Sequence, residues 1–343
     1  MIGLIVFIGL IFLILVHEFG HFFTAKLFGI KVDEFGIGFP PKIFSKKYRG
    51  TLYSLNSIPF GGFVRIFGES PLDEASSLVE KKQSFAYQPA WKRAIVLSAG
   101  VFMNLITAWF LFSIIFFIGT EGFVAIQSVS NNSPAKEAGL KAGDIITGFT
   151  SVDDFVLFIN NSVVNIPGEA VILSIKRSGE NIQITTTPRL NPPKGEGALG
   201  ISLSGGGIEK TSFPMNFING GLATLNSLEA IFFGFMNMIT SIFIGVVPEV
   251  AGPIGIFSIA YQIGSNGILF LFHLIAIISI NLVILNLLPF PALDGGRLLF
   301  LLIEKIKGSK VPQVIEGYAN LVGFVLLILL MIFVTIKDIF TFL

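Results

Sequence analysis

Four long stretches with almost no charge constrain the fold of this chain more than any other feature. Residues 2–25 hold one charged side chain, Glu18, and residues 94–119 hold none. Residues 267–293 contain no Asp, Glu, Lys or Arg, and residues 317–336 are again uncharged. About 20 apolar residues cross a bilayer as a helix. The pattern therefore predicts a multi-pass membrane protein with about four transmembrane helices.

The composition agrees with this prediction and excludes other classes. Hydrophobic residues make up 52% of the chain, charged residues make up 13%, and the mean hydropathy is +0.80. A net charge of +1 without a basic cluster predicts no nucleic-acid partner. With no cysteine in the chain, a transition metal would have to bind His, Asp or Glu. The first basic residue is Lys26, so we interpret residues 2–25 as a membrane anchor and not as a cleaved signal peptide.

The distribution of Lys and Arg predicts the orientation in the membrane. Residues 26–93 contain 11 of them and residues 297–310 contain four, whereas the longer stretch 119–267 contains seven. The positive-inside rule places the first two segments in the cytoplasm. Residues 120–267, the N-terminus and the C-terminus are then extracytoplasmic.

Residues 213–248 are apolar but do not fit this orientation as a crossing. A crossing there would place the end of the 267–293 helix outside, against the basic residues that follow it. We interpret 213–248 as an amphipathic helix that lies on the outer membrane surface. The GPIG sequence at 252–255 is expected to break it before the third span.

The outer region has the pattern of a small soluble α+β domain. Strand, turn, helix, hairpin and closing-strand patterns occur at 122–129, 131–148, 152–162, 171–188 and 197–203. SPA followed by AGLKAGD resembles the PDZ fold, and the resemblance covers residues 121–204. PDZ domains bind extended peptides at a sheet edge, so it implies a peptide ligand or a gating role. A small β domain that only spaces the helices is the alternative.

The sequence HEFGH places His17, Glu18 and His21 inside the first apolar stretch. Ionisable groups are costly in a membrane span. On a helix, residues i and i+4 share a face, so the two imidazoles converge, and neutral imidazoles suit Zn²⁺. Glu18 is rotated by about 100° around the helix axis and could act as a general base beside the metal. The pattern therefore predicts a catalytic zinc site.

A catalytic zinc needs a third protein ligand. His273 is predicted near the outer half of the third span, whereas the two N-terminal histidines are toward the inner end of the first. Asp294 ends the run NLLPFPALDGG, in which Pro289 and Pro291 interrupt the helix. A carboxylate at that depth would meet the histidines, although an ordinary Asp-Gly turn is the alternative.

These motifs together resemble the site-2 protease family, in its bacterial regulator of sigma-E protease (RIP metalloprotease) branch. The resemblance covers essentially the whole chain. It implies Zn²⁺ held by His17, His21 and Asp294, with Glu18 as the catalytic residue. It also implies cleavage of transmembrane segments of single-pass proteins, such as anti-sigma factors or signal-peptide remnants, in the bacterial inner membrane.

The resemblance further implies substrate-binding positions. Asn281, Asn286, Pro289 and Pro291 match family positions near the active site, with helix packing and helix breaking as the alternative. Residues 51–69 are predicted to form a hairpin about the turn 59–62, which includes Gly61 and Gly62. In the family, a re-entrant β element supplies an edge strand for the substrate. A purely cytosolic hairpin is the alternative.

Two features depart from the family pattern. The chain has room for one PDZ-like domain where related proteins often carry two. In SAGVFMN (98–104), Val101 replaces the proline of a family motif, so a kink is not expected there. The predicted domains are a first membrane part (1–120), the PDZ-like domain (121–204) and a second membrane part (205–343).

Two rival functions remain at this point. One is a membrane zinc protease for soluble peptides, which recruits a downstream glutamate as third ligand; Asp294 and the lack of a second Glu-rich helix argue against it. The other is a PDZ-bearing membrane adaptor or pseudoprotease with a structural metal. Glu18 argues against that function, since a structural metal needs no base.

Overall fold

The computed structural model describes residues 2–69, 77–177, 179–193, 195–245, 252–264 and 267–342. They form two compact units. The first unit comprises Met1–Phe112, Gly220–Gly264 and Phe270–Leu343, and the second comprises Ser113–Asn219 with Ser265–Leu269.

The helices and strands follow in chain order. They are α1 (Ile2–Leu27), β1 (Val32–Tyr48), β2 (Thr51–Ile66), α2 (Leu78–Gln83), α3 (Ala90–Ile118), β3 (Thr120–Val129), α4 (Pro134–Glu137), β4 (Ile145–Ile146), α5 (Val152–Asn165), β5 (Val171–Arg177), β6 (Glu180–Thr186), β7 (Ile201–Ile208), α6 (Met215–Phe243), α7 (Pro253–Gly264), α8 (Ile268–Leu287), α9 (Asp294–Lys307) and α10 (Gln313–Phe342).

Five helices of the described chain are long and apolar enough to cross a membrane, one more than the four predicted from sequence. They are α1, α3, α6, α8 and α10. The additional candidate is α6, which we interpreted from sequence as lying on the membrane surface. Its mean hydropathy of 1.3 is the lowest of the five, and the others range from 2.3 to 2.8. The chain is thus a multi-pass membrane protein, as predicted.

Small side chains let the helices of the first unit approach closely. A Cβ on Gly9 of α1 would lie 2.7 Å from Ile275 Cδ1 of α8. Val6, Ala260 and Leu271 form one buried cluster that joins α1, α7 and α8. Helix packing in membranes relies on such small-residue contacts, because burial alone gives little driving force there.

The predicted hairpin within 51–69 is wrong in its pairing. Residues 51–66 form the single strand β2, which pairs with β1 through the turn at 49–50. Glu34 pairs with both Leu52 and Arg65, and Ile37 pairs with both Leu55 and Gly62. The two halves of β2 therefore lie on opposite sides of β1. This pairing was not predicted, because β1 itself carries a turn-forming pattern, FGIGFPP.

The second unit is a five-stranded sheet with two helices. Its strand order is β6-β5-β4-β3-β7, and all neighbours are antiparallel. Its core consists of eleven buried side chains, namely Val124, Ile126, Ala135, Leu140, Ile146, Phe155, Ile159, Leu173, Ile175, Ile184 and Leu199.

The ends of this inserted sheet lie side by side. Thr120 pairs with Ile208, and a Cβ on Gly119 would lie 2.8 Å from Lys210 Cβ. The chain therefore leaves α3 and returns toward α6 at nearly the same point.

Candidate metal centre

Helix α1 carries both histidines one turn apart on a buried face. His17 is 9% exposed and His21 is 8% exposed. The neighbouring helix α3 passes directly against them, because Gly20 of α1 and Gly100 of α3 have no side chains. A Cβ on Gly20 would lie 2.5 Å from Ala99 O, and one on Gly100 would lie 2.4 Å from His21 Nε2.

Asp294 reaches the histidines from the first residue of α9. Helix α8 ends at Leu287, ahead of Pro289, and α9 begins at Asp294. The turn between them is held by Asn320, whose Oδ1 accepts a hydrogen bond from the backbone N–H of Ala292 at 3.0 Å. Because the helix is broken between α8 and α9, the Asp294 carboxylate points toward the histidines. In a continuous helix, Asp294 would lie beyond them.

The three side chains form a near-equilateral triangle of donor atoms. His17 Nε2 lies 3.1 Å from both His21 Nε2 and Asp294 Oδ2, and His21 Nε2 lies 3.4 Å from the same carboxylate oxygen. Tetrahedral ligands with bonds of about 2.0–2.1 Å are separated by about 3.3 Å. Asp294 Oδ2 is buried and makes no hydrogen bond of good geometry. These features fit a tetrahedral metal ion with one further position open.

Hydrogen bonds behind the histidines orient them for metal binding. His21 Nδ1 donates to the carbonyl of Val96 at 2.8 Å, which leaves Nε2 with its lone pair toward the centre of the triangle. His17 Nδ1 lies 3.4 Å from the side-chain amide of fully buried Asn104, whose Oδ1 makes no hydrogen bond. A half-turn of that amide lets Oδ1 accept the His17 Nδ1 proton and fixes the same tautomer.

A cavity of about 280 Å³ opens beside this triangle. Glu18 lines it together with the three candidate ligands and residues from β2, α3 and the α8–α9 turn. Among the predicted substrate residues, Asn286 lines it too. A Cβ on Gly62 would lie 3.9 Å from Glu18 Cγ and 3.0 Å from Gly36 O, so this part of β2 passes close to Glu18.

The other predicted positions lie away from the cavity lining. Asn281 donates to the carbonyl of Ile277 in its own helix at 3.0 Å. Gly61 has a φ of +97° and faces Phe39 and Ile14. The cavity lining does not include Pro289 or Pro291. The backbone carbonyl of Pro291 lies against Gly323 of α10, where a Cβ would be 2.4 Å from the carbonyl oxygen.

Two other ionisable side chains of the membrane part, His273 and Glu304, could replace Asp294 as the third ligand only if they were free, and both have other partners. The ring of His273 packs edge-on against Phe112 at 5.4 Å, as expected for a histidine inside the helix bundle. Glu304 forms an ion pair with Arg93 and accepts a hydrogen bond from the backbone N–H of Val311. Neither side chain belongs to the donor cluster.

One ion pair at the cavity was not predicted. Glu69, at the end of the turn after β2, pairs with Arg297, which lies one helical turn after Asp294. Both side chains line the cavity. The pair ties the strand that passes Glu18 to the helix that carries Asp294. No sequence signal indicated it, because the two residues are separated by 228 positions.

Comparison with known proteins agrees with this geometry. The profile of peptidase family M50 matches residues 5–330. A Clostridium acetobutylicum protein that carries a zinc-metalloprotease name is 34% identical, over 95% of this chain and 94% of the relative. Zinc metalloprotease RasP of Shouchella clausii is 31% identical (95% and 96%), and regulator of sigma-W protease RasP of Bacillus subtilis is 29% identical (95% and 95%).

The predicted resemblance is therefore confirmed at the level of the family. The match spans the H-E-x-x-H helix, the inserted sheet and the turn that carries Asp294. The chain belongs to peptidase family M50, the site-2 protease family of membrane metallopeptidases.

Proposed function

We propose that this chain is a zinc-dependent endopeptidase that cleaves transmembrane segments of single-pass membrane proteins. The observation that carries the proposal is the triangle of His17, His21 and Asp294 donor atoms, 3.1–3.4 Å apart, with Glu18 at the same cavity. Zinc is the metal in the names of the relatives, and the two-imidazole, one-carboxylate set suits it.

The roles of the residues follow from their positions. Zinc, when bound, would act as a Lewis acid: it would polarise the scissile carbonyl and lower the pKa of a water molecule toward neutral pH. Glu18 takes the proton of the attacking water and returns it to the leaving amine. The Val96 carbonyl and the Asn104 amide hold the imidazoles in the required tautomer. Arg297 and Asn286 are the donors at the cavity that would face the charge developing on the substrate.

The segment of β2 that passes Glu18 is suited to hold the substrate backbone. A transmembrane helix has all its backbone groups paired, so it must unwind before hydrolysis and its freed groups need partners. Residues 62–65 pair with β1 on one side, and Phe63 and Val64 line the cavity. We propose that an unwound substrate adds to this edge, beside Gly62 and Asn286. In this proposal, β2 takes the role of the re-entrant β element that the family resemblance implies.

The proposed location is the bacterial inner membrane, with both termini and the inserted sheet extracytoplasmic. Among the relatives, the Bacillus subtilis protein is named a regulator of sigma-W protease. By analogy, membrane-anchored anti-sigma factors and signal-peptide remnants are the proposed substrate classes. The inserted sheet is proposed to be a PDZ-like domain that binds a peptide or gates access, because it has a helix beside its β3 and β7 strands.

Two carboxylate variants test the proposal because they should fail in different ways. Glu18→Gln should keep stoichiometric zinc and lose hydrolysis by several orders of magnitude, since base and metal act as a unit. Asp294→Asn should lose zinc and activity together, and excess zinc should restore part of its activity. The measurements are zinc per purified chain and cleavage of a model transmembrane substrate. An Asp294→Asn chain that binds zinc like the wild type would exclude Asp294 as a ligand.

A further inference from the structure

A second cavity lies between α1 and the β1–β2 sheet, apart from the residues of the metal centre. Its volume is about 280 Å³. Aromatic and aliphatic side chains from all three elements form its walls, among them Phe19, Phe44 and Leu55. Phe19 is 43% exposed on a predicted membrane span, so the cavity lies next to the part of α1 that faces lipid.

The wall of this cavity is ordered by ring contacts. Phe22 of α1 packs edge-on against Phe35 of β1 at 5.3 Å and against Tyr53 of β2 at 6.0 Å. Such contacts fix the rings in place, so the groove is preformed. A preformed apolar groove beside a bilayer suits a hydrocarbon chain.

The rim of the groove is cationic. Lys46 lines it, and Lys47 and Arg49 follow at the β1–β2 turn. Residues 39–58 contain four cations and no carboxylate. Lys42 is bound by Glu34 at 2.9 Å, whereas the other three cations are exposed and form no ion pair within the described part of the chain.

We propose that this groove binds an anionic phospholipid, with an acyl chain against Phe19, Phe44 and Leu55 and the headgroup phosphate at Lys46 and Arg49. The Arg49 guanidinium lies over the ring of Tyr48 at 5.3 Å and, like Lys46, has no carboxylate partner in the described chain. An apolar wall that ends in such cations matches a lipid with a negative headgroup at the membrane surface. A transmembrane substrate segment would satisfy the wall but would leave the cations unmatched. The inference uses the proposed orientation, in which this sheet lies at the anionic cytoplasmic leaflet, and does not depend on hydrolysis.

The cysteine-free chain allows a direct binding test. Ser57→Cys, an exposed position on the same face of β2 as Leu55, is labelled with an environment-sensitive fluorophore. The labelled chain is titrated in mixed micelles with phosphatidylglycerol or phosphatidylcholine that carries brominated acyl chains. We expect saturable quenching at lower mole fractions of phosphatidylglycerol, weakened by salt. Equal quenching by both lipids would overturn the proposal.

Two sets of variants separate the headgroup from general charge. In the labelled chain, Lys46→Gln and Arg49→Gln together should weaken phosphatidylglycerol binding about 25-fold, at about fivefold for each cation. The matched control removes two exposed cations of the same predicted side, Lys305 and Lys307, and should change little. An equal loss in the control would show a nonspecific charge effect and would overturn the site.

The groove wall has its own test. Leu55→Ser should reduce quenching by brominated chains while preference for the anionic headgroup persists. Competition by a model transmembrane substrate would assign the groove to the substrate and would overturn the lipid assignment. Zinc content and cleavage, measured in parallel, distinguish failure of this proposal from failure of the proposed protease function.

Discussion

Glycine residues decide how closely the metal-binding histidines are packed. Gly100 lies against both imidazoles, since a Cβ there would be 2.4 Å from His21 Nε2 and 2.7 Å from His17 Cε1. We expect Gly100→Ala to displace the ligands and to weaken zinc binding by about 10- to 100-fold, as loss of groups behind metal ligands does.

The matched control for Gly100→Ala is Gly234→Ala on α6, where a Cβ would meet no atom within 4 Å. Zinc affinity measured by competition with a chelator should fall only for the first variant. An unchanged zinc affinity of the Gly100→Ala variant would mean that α3 moves away from the histidines without weakening metal binding.

Asp144 gives the inserted sheet a pH-dependent stability. Its carboxylate is 1% exposed and accepts hydrogen bonds from Arg177 Nε at 2.7 Å and from the Lys141 backbone N–H at 2.8 Å. Burial by itself raises the pKa of Asp144, but the hydrogen bonds and the charge of Arg177 outweigh it, and the pKa lies below its ordinary value.

A carboxyl with a lowered pKa stabilises the fold above its unfolded-state pKa, and this contribution is lost as the pH falls toward the folded-state pKa. Asp144→Asn should therefore destabilise the sheet by roughly 1–3 kcal/mol at pH 7 and by less near pH 3. Protease susceptibility of residues 120–208 in the full chain, compared across pH, measures this. If the variant and the wild type differed in protease susceptibility by the same amount at pH 7 and pH 3, this prediction would be contradicted.

The residues of the site were more predictable from sequence than the contacts that hold them. Few ionisable residues occur in the apolar stretches of this chain. The chemistry of these few, His17, Glu18, His21 and Asp294, therefore indicated a metal site. Asn286 was placed by family resemblance. The close approach of Gly20 and Gly100 had only a weak signal, the small residues in SAGVFMN. The Glu69–Arg297 pair had none, because long-range contacts leave no local pattern.

At the level of elements, periodic segments were predicted well and pairings were not. The strand at β3, the helix α5 and the β5–β6 pair lie where the alternation of apolar residues placed them, although Ser178 of that hairpin is outside the described residues. The pairing of β2 was mispredicted because its apolar pattern is the same whether its halves face each other or flank β1.

The position of α6 is a further question at this level. Gly252 donates to Asp338 of α10 at 3.2 Å, and α10 ends outside in the proposed orientation. From Phe243, the chain has nine residue steps to Gly252, which span at most about 30 Å. If α6 crossed inward, those steps would have to recross a core of about 30 Å as extended chain with unpaired backbone groups. This favours α6 on the outer surface.

Single cysteines test this orientation. In spheroplasts, an impermeant thiol reagent should label Asn161→Cys and Ile244→Cys but should label Leu78→Cys only after lysis. Leu78 and Ile244 are 80% and 76% exposed, so access is not limited by packing. Labelling of Ile244→Cys only after lysis would show that α6 crosses the membrane.

At the scale of the molecule, the metal centre and the inserted sheet belong to different compact units. The candidate ligands and Glu18 all lie in the first unit, so the second is not needed to build the site. Because Gly119 and Lys210 are already neighbours, residues 120–209 can be removed and these two joined directly, which should leave the helices α3 and α6 connected without displacing either.

We expect the shortened chain to retain zinc and to cleave a model transmembrane substrate, with weaker discrimination between substrates. Zinc content and the ratio of cleavage rates for two substrates are the measurements. A folded, zinc-loaded chain that cleaves neither substrate would show that the sheet is required for catalysis.

The neighbouring ends of the inserted sheet have a consequence for how such proteases diversify. The RasP alignment from Shouchella clausii extends over 415 residues while covering 95% of this chain, so relatives differ considerably in length. Where two chain ends meet, extra sequence opens no gap in the membrane-embedded part and forces no helix to move. Domains of different length can thus be accommodated at this point while the metal ligands of the first unit keep their positions.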